Sequence, residues 1–348
     1  MFAQPIYRTY KRYRTLQTHR IGSLPIAILM PHSACNCRCA MCDIWKDNQN
    51  LQQLTETDIQ GLLQTFKTLG TQLVVMSGGE ALLNKNFFRF CEILQQQGIK
   101  VSLLSTGLLL HKHAEQIVER VHDVVVSLDG DEATHDAVRN VEGAFALLKK
   151  GVQRLKALRP NYPITGRSVI HRLNFRQWLP IVAAAQSIGL DQISFLPADV
   201  SSEAFNRSQP WGVDRQQQIV PDAADLPELQ MLIHQLVARY CTNGQAGFIA
   251  EPPAKLQKIH DYYAAYYGLN PYPYKKCNAP WVSTVVEADG TVRPCFFHAA
   301  MGNIHQQPLA DIINSPSAIA FRKELDMDND ATCVKCVCYL NLPPGSKV

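Results

Sequence analysis

Between Pro25 and Pro197 the chain alternates short β-branched runs with segments of helical periodicity, and this alternation constrains the fold more than any other feature. The runs are Ile26–Met30, Leu73–Ser77, Lys100–Ser105, Val124–Leu128, Ile164–Ile170 and Gln192–Leu196. Each is followed by a helical pattern. One opens near Thr55, with Asp58 three residues on as a capping pair; the others are Asn86–Gln97, His113–Arg120, Gly143–Leu158, Phe175–Ile188 and Asp225–Cys241. Repeated βα units predict an α/β fold with a parallel sheet, closed into a full or partial barrel whose chemistry sits at the C-terminal strand ends.

Composition agrees with a folded chain. With 348 residues and 46% apolar content, a core can form that removes about three-quarters of the unfolded surface from water. The 11 cysteines fall well short of the roughly 8–10% of a secreted disulfide scaffold. No apolar run approaches the ~20 residues that span a bilayer. Ile21–Met30 is interrupted by Pro25, stopped by Pro31 and lacks a small-residue cleavage site, so it reads as a strand and not a signal peptide. A cytoplasmic location is expected, where reduced thiols serve metal binding or catalysis.

The net charge of +4 is unevenly spread. No acid precedes Cys42, whereas Arg8, Lys11, Arg12, Arg14, Arg20 and Arg38 interleave with Tyr7, Tyr10 and Tyr13. Such a stretch could hold a nucleic-acid backbone or an anionic substrate, but a short basic run reads first as a solvated helix on the domain surface. Neither nucleic acid nor a membrane is expected as a partner.

Beyond Pro197 the pattern weakens. Ala198–Leu226 is polar and irregular, and Pro252–Tyr274 holds six of the twelve tyrosines, read as packing surface between domains in preference to the wall of a substrate pocket. From Cys277 a second module is expected, with a hairpin at Asp289-Gly290 between Val282–Val286 and Val292–Phe297. The predicted division is a basic extension over 1–24, a barrel over 25–242, a tyrosine-rich connector over 243–276 and a small cysteine-rich hairpin and helix domain over 277–348.

The first run is followed by Cys35-Asn-Cys37-Arg-Cys39-Ala-Met-Cys42. Cys35, Cys39 and Cys42 form C-x3-C-x2-C, three thiolates on one loop. A four-iron cluster normally takes four cysteines, so three leave one iron open to a substrate. Zinc, with Cys37 as fourth ligand, is the alternative that spacing leaves. A second group, Cys277, Cys295, Cys333 and Cys336 with Cys338 just beyond, suits an iron–sulfur cluster or a zinc ribbon equally by spacing. Cys91 and Cys241 lie on helical patterns and read as ordinary buried thiols.

The cysteine loop, with Trp45 three residues past Cys42, resembles the signature of the radical S-adenosylmethionine (radical SAM) superfamily. Further pieces follow in that family's order: Ser77-Gly78-Gly79-Glu80, Ser105-Thr106-Gly107, Ser127-Leu128-Asp129-Gly130 with His135-Asp136 and Arg139, and Leu196-Pro197. Ala81 stands where many relatives have Pro, Ser105-Thr106-Gly107 where many have Thr-Asn-Gly, and Cys37 is outside the family pattern, a bystander thiol. The resemblance implies a partial (β/α)6 TIM-like barrel with a SAM-binding 4Fe-4S cluster on Cys35, Cys39 and Cys42. The methionine end of SAM is a zwitterion, which asks for an acid at its amine and a cation or hydroxyl at its carboxylate. Gly78, Gly79 and Glu80 are expected at the amine and Ser127 and Arg139 at the carboxylate. Ser105 and Arg167 are further candidates, and Leu196 offers backbone groups to the adenine.

The C-terminal cysteines resemble the twitch domain, the short form of the SPASM extension. A full SPASM domain needs about seven cysteines for two clusters; five are present, which implies one auxiliary 4Fe-4S cluster on Cys277, Cys295, Cys333 and Cys336. Cys338 is either a substitute ligand or a catalytic hydrogen donor, a role for which Cys241 is the second candidate. The implied activity is reductive cleavage of SAM to a 5′-deoxyadenosyl radical, fed by flavodoxin or ferredoxin, followed by hydrogen abstraction leading to oxidation or epimerisation. Peptide-modifying relatives often carry an N-terminal domain of ~80 residues, whereas about 25 precede the first strand here, fewer than a minimal domain. A small polar substrate, sugar-like or a natural product, is therefore expected, with Asp199 and Glu203 as hydrogen-bonding candidates or plain loop acids in water. A peptide maturase is the alternative, and a non-catalytic metal-cluster protein that binds nucleic acid is the alternative of another class.

Overall fold

The structure is a computed structural model that describes residues 3–207, 209–241 and 247–348; the last residue of the expected barrel, 242, and the first four of the expected connector, 243–246, lie outside them. Six parallel strands, β1 (Ile26–Leu29), β2 (Leu73–Met76), β3 (Lys100–Ser105), β4 (Asp123–Ser127), β5 (Ile164–Ile170) and β6 (Gln192–Pro197), pair in sequence order. Each matches its sequence run to within a residue. Along them the exposure alternates: Val74, Met76, Val101, Leu103 and Val124 are buried on the helix-covered side, whereas Leu104, Val125, Ser127, Arg167, Val169 and Leu196 line a cavity.

Local signals account for the helices. Thr55 and Asp58 form a reciprocal capping box ahead of helix Glu56–Leu69, and Gly70 ends it in the left-handed conformation. Helix Phe87–Gln96 presents Phe87, Phe90, Cys91 and Leu94 to the core, the i, i+3, i+4, i+7 stripe of an amphipathic helix, so Cys91 is a buried thiol as expected.

The C-terminal region is joined to the barrel through the sheet. The hairpin forms at Asp289-Gly290, but its first strand, β7 (Ser283–Val286), pairs in parallel with β1, placing Ile26 opposite Ser283. Strands β8 (Thr291–Arg293) and β9 (Gly302–Asn303) follow antiparallel, so one nine-stranded sheet runs from β6 to β9 and the barrel stays open. The first half of the chain leaves β1 with an edge that the last quarter covers.

Two further elements complete the frame. The tyrosine-rich segment contains helix Pro253–Tyr266, against helix Leu226–Tyr240, with Tyr262 and Tyr263 buried. The Tyr263 hydroxyl accepts from the Ala198 amide at 2.9 Å and donates to the Ile170 carbonyl, tying this helix to the ends of β5 and β6. The C-terminal tail packs Leu340, Leu342 and Val348 with Ile26, Ile28, Leu73, Val75 and Trp281 in a second, smaller core. The basic N-terminal segment is the expected surface helix, Ala3–Thr18, with Tyr7, Tyr10 and Tyr13 exposed. Its Arg12 is buried and donates to the carbonyls of Pro344 (3.4 Å) and Ser346 (2.6 Å) in the tail. Among the described residues no helix is long and apolar enough to cross a membrane.

Candidate active site

The cysteine loop is pinned from three sides. Asn48 brackets Cys35, accepting from its amide at 3.0 Å and donating to its carbonyl at 2.9 Å. The amides of Arg38 and Ala40 donate to the Arg139 and Val138 carbonyls at the end of helix Glu132–Arg139. The Trp45 indole donates to the Cys42 carbonyl at 2.9 Å.

The loop after β2 presses on the same residues. A Cβ at Gly79 would lie 2.2 Å from the Ala34 carbonyl oxygen, and Gly78 (φ +111°) has Met30 and His32 beside it. Both positions require glycine because backbone meets backbone here.

These elements enclose a cavity of about 1050 Å³ at the C-terminal ends of β2 to β6. Cys35, Cys39, Cys42, Gly78, Gly79, Ser105, Ser127, Arg139, Arg167 and Leu196 all line it, so the structure brings together nearly every residue expected there. Glu80 stands apart from them. Its carboxylate is fully buried, accepting from the Thr106 amide (2.8 Å), the Ser105 and Thr106 hydroxyls and the Leu82 amide, and it does not line the cavity. Burial raises its pKa despite those donors. Glu80 therefore ties the glycine loop to the end of β3, and the backbone of Gly78 and Gly79 is what faces the cavity.

Arg139 is buried, not a surface helix residue. It is paired with Asp129, and its Nη1 lies 3.5 Å from Cys39 Sγ. The hydrogen bond from the Cys37 thiol and then the Arg139 charge hold the Cys39 pKa down at about 6 against the opposing effect of burial. Burial pushes Cys42 up to about 12. Cys37 is buried beneath the loop and does not line the cavity.

A second cavity, of about 490 Å³, is lined by Cys277, Cys295, Cys333, Cys336 and Cys338. Burial raises the pKa of Cys295 to about 11 and of Cys333 to about 12. His298 Nε2 lies 3.3 Å from Cys333 Sγ. Tetrahedral zinc at ~2.3 Å from each sulfur would bring four thiolates to within about 3.8 Å of one another. Among the described residues, no three cysteine sulfurs lie within 4.8 Å of one another; the only cluster that tight is His298, Asp330 and Cys333. The thiols of each set line one cavity and are the donor type an iron–sulfur cluster takes.

A lateral chamber of about 640 Å³ lies beside both cavities. It shares Arg167, Leu196, Pro197 and Val337 with the barrel mouth, and Lys275, Cys336, Cys338 and Tyr339 with the five-cysteine cavity. Cys338 thus faces the second cavity and the chamber but not the barrel mouth. Cys241, the other expected hydrogen donor, caps helix Leu226–Tyr240 and lines none of these cavities. Tyr262 reaches the chamber, so the tyrosine-rich segment both packs and walls a pocket.

Asp199 is no loop acid in water. It is buried, with one oxygen 2.6 Å from Arg207, and Arg207 in turn stacks 3.8 Å from the Trp211 ring. Trp211 donates to Asp43, beside Cys42, at 2.7 Å, so the segment after β6 clamps the cysteine loop. Glu203 is exposed and lines a separate cleft of about 1010 Å³ with Gly78, Gly79 and Phe205. The clamp of Arg207, Trp211 and Asp43, and Val337 between two candidate cysteines, were missed in the sequence; only the position of Val337 carried a signal.

The profile of the radical SAM superfamily matches residues 29–185, and that of the SPASM iron–sulfur cluster-binding domain matches residues 277–337. The chain belongs to the radical SAM superfamily. Its similarity reaches the AdoMet-dependent heme synthase of Methanosarcina barkeri, 24% identical over 84% of this chain and 82% of the relative. The sporulation killing factor maturation protein SkfB of Bacillus subtilis is 23% identical over 92% of this chain and 70% of the relative. Alignments to further curated relatives span as little as 33% of their length. Among solved structures, Streptococcus suis SuiB bound to precursor peptide SuiA has the same fold, with a TM-score of 0.63 at 14% identity over 94% of this chain and 73% of SuiB. This radical SAM enzyme therefore works with a SAM-binding 4Fe-4S cluster, auxiliary iron–sulfur chemistry and SAM itself, and the thiol-lined cavities have the donor set those groups need.

Proposed function

We propose that Cys35, Cys39 and Cys42 ligate the SAM-binding cluster, and that Cys277, Cys295, Cys333 and Cys336 ligate one auxiliary cluster. When bound, the first cluster and SAM supply reductive cleavage to a 5′-deoxyadenosyl radical, with flavodoxin or ferredoxin as donor. The backbone of Gly78 and Gly79 receives the methionine amine, and Ser127 and Arg139 receive its carboxylate. Leu196 borders the adenine, Ser105 holds Glu80 in place, and Cys37 is a bystander. The barrel over 25–242 performs this task and the region over 277–348 adds the second cluster.

The substrate occupies the lateral chamber, and the reaction is oxidation of a compact polar molecule. The observation that carries this reading is the chamber's position, with one wall shared with the barrel mouth and another with the five-cysteine cavity. Hydrogen is removed on the first side and the remaining electron leaves on the second. Glu251, whose carboxyl is raised by burial, borders the chamber and accepts the proton. Epimerisation would instead need a hydrogen donor, which Cys338 is placed to be. A peptide maturase is the second reading, favoured by the cleft of about 1010 Å³ beside the barrel mouth and by the likeness to SkfB.

Anaerobic reconstitution of the full chain tests this. About eight irons per chain are expected, with 5′-deoxyadenosine formed on adding SAM and dithionite. The variant Cys277→Ala/Cys295→Ala should lose about half the iron and still release the nucleoside. A protein holding two zinc ions and forming no nucleoside would refute the assignment.

A further inference from the structure

The lateral chamber carries a charge pattern that oxidation does not explain. Arg167, Lys255, Lys258 and Lys275 line it, with Glu251 as the only carboxylate among its lining residues. Three of the four cations are engaged. Lys275 donates to the Val334 and Cys336 carbonyls, Lys258 donates to the Tyr274 carbonyl at 2.7 Å, and Lys255 lies 3.4 Å from Glu251.

Arg167 differs. It projects from β5 into the space where the chamber and the barrel mouth meet, and it is exposed to that space. Its Nε donates to Ser194 Oγ at 3.2 Å, which fixes the guanidinium plane and leaves both terminal nitrogens without a protein partner among the described residues. No described carboxylate lies within ion-pair distance of it, whereas Asp129 lies against Nη2 of Arg139. A guanidinium held by its Nε presents its two terminal nitrogens as a fork, and the planar group that matches a fork is a carboxylate. Around the fork the wall is apolar and aromatic: Phe195, Ile259, Tyr262, Pro273 and Tyr339.

We propose that the lateral chamber binds a carboxylate-bearing substrate, gripped by the Arg167 fork with Lys255 as second cation and its apolar part against Tyr262 and Tyr339. This rests on the reading of the chamber as the substrate site. It also moves Arg167 from the cofactor-binding set, where the sequence made it a further candidate, to the substrate.

Calorimetric titration of the reconstituted, SAM-loaded enzyme with benzoate and its uncharged isostere benzamide tests the proposal. Benzoate should bind about tenfold or more tighter than benzamide. Arg167→Gln should abolish that preference, Arg167→Lys should restore part of it, and Lys255→Met should reduce it by a smaller factor. Equal affinities in the unmodified enzyme, no saturable benzoate binding, or a preference intact in Arg167→Gln overturns the proposal. Loss of SAM affinity in Arg167→Gln matching the loss for benzoate would also overturn it, because the fork would then belong to the cofactor. Formation of 5′-deoxyadenosine in the same preparation separates the two claims: nucleoside with no probe preference removes only the carboxylate site, and a preference without nucleoside removes only the reading of the chemistry.

Discussion

A methyl group at Gly79 has no room, because the Ala34 carbonyl stands 2.2 Å from where it would lie. The clash is with backbone, so relief must come from moving the cysteine loop or the β2 loop. Gly79→Ala should cost about 1–3 kcal/mol of stability, read from the urea midpoint, and lower the iron bound at the barrel mouth. Unchanged iron content would show that the two loops are not coupled. The sequence places Gly79 at the methionine amine, but nothing in it shows that the Ala34 carbonyl closes on this position. Glu80 shows the same limit. Its place in the motif is plain, yet its carboxylate is taken up by Thr106 and Ser105, residues far along the chain whose approach only the fold reveals. Asp199 likewise reads as a loop acid until Arg207 is seen beside it.

At the scale of elements, sequence legibility followed locality. The six barrel strands and the Thr55 capping box depend on residue type and near neighbours, and the structure has them where periodicity places them. The pairing of β7 with β1 depends on contact between residues more than 250 positions apart, for which Val282–Val286 carries no signal beyond its β-branched composition. The same holds for the tail. Leu342 is buried against the β1 and β2 side chains it reaches from the opposite end of the chain. Leu342→Ala should therefore destabilise the barrel by about 2–3 kcal/mol, although it lies outside the sequence-defined barrel. Denaturant unfolding with fluorescence checks this. A cost under about 0.5 kcal/mol, typical of surface positions, would show that the tail is not part of the core.

For the molecule as a whole, two buried histidines set an acid limit. His135 and His171 are fully buried, and burial holds each pKa down to about 4 from an ordinary 6.5. In the unfolded chain they take up protons that the folded chain refuses. Their contribution is complete above pH 6.5 and is lost as pH falls toward 4, at up to about 1.4 kcal/mol per pH unit for each. Urea midpoints measured from pH 7 to 4.5 should fall, and His135→Gln/His171→Gln should flatten that fall; an identical slope in the variant would assign the acid sensitivity elsewhere.

The whole-molecule assignment rests on the barrel mouth as the place where SAM meets iron, and one experiment addresses it most directly. Cys35, Cys39 and Cys42 are replaced together by alanine, the protein is reconstituted anaerobically, and 5′-deoxyadenosine is quantified with SAM and dithionite. The account predicts no nucleoside and roughly four irons retained on the auxiliary set. Nucleoside release at the unmodified rate, or iron content unchanged, would contradict it.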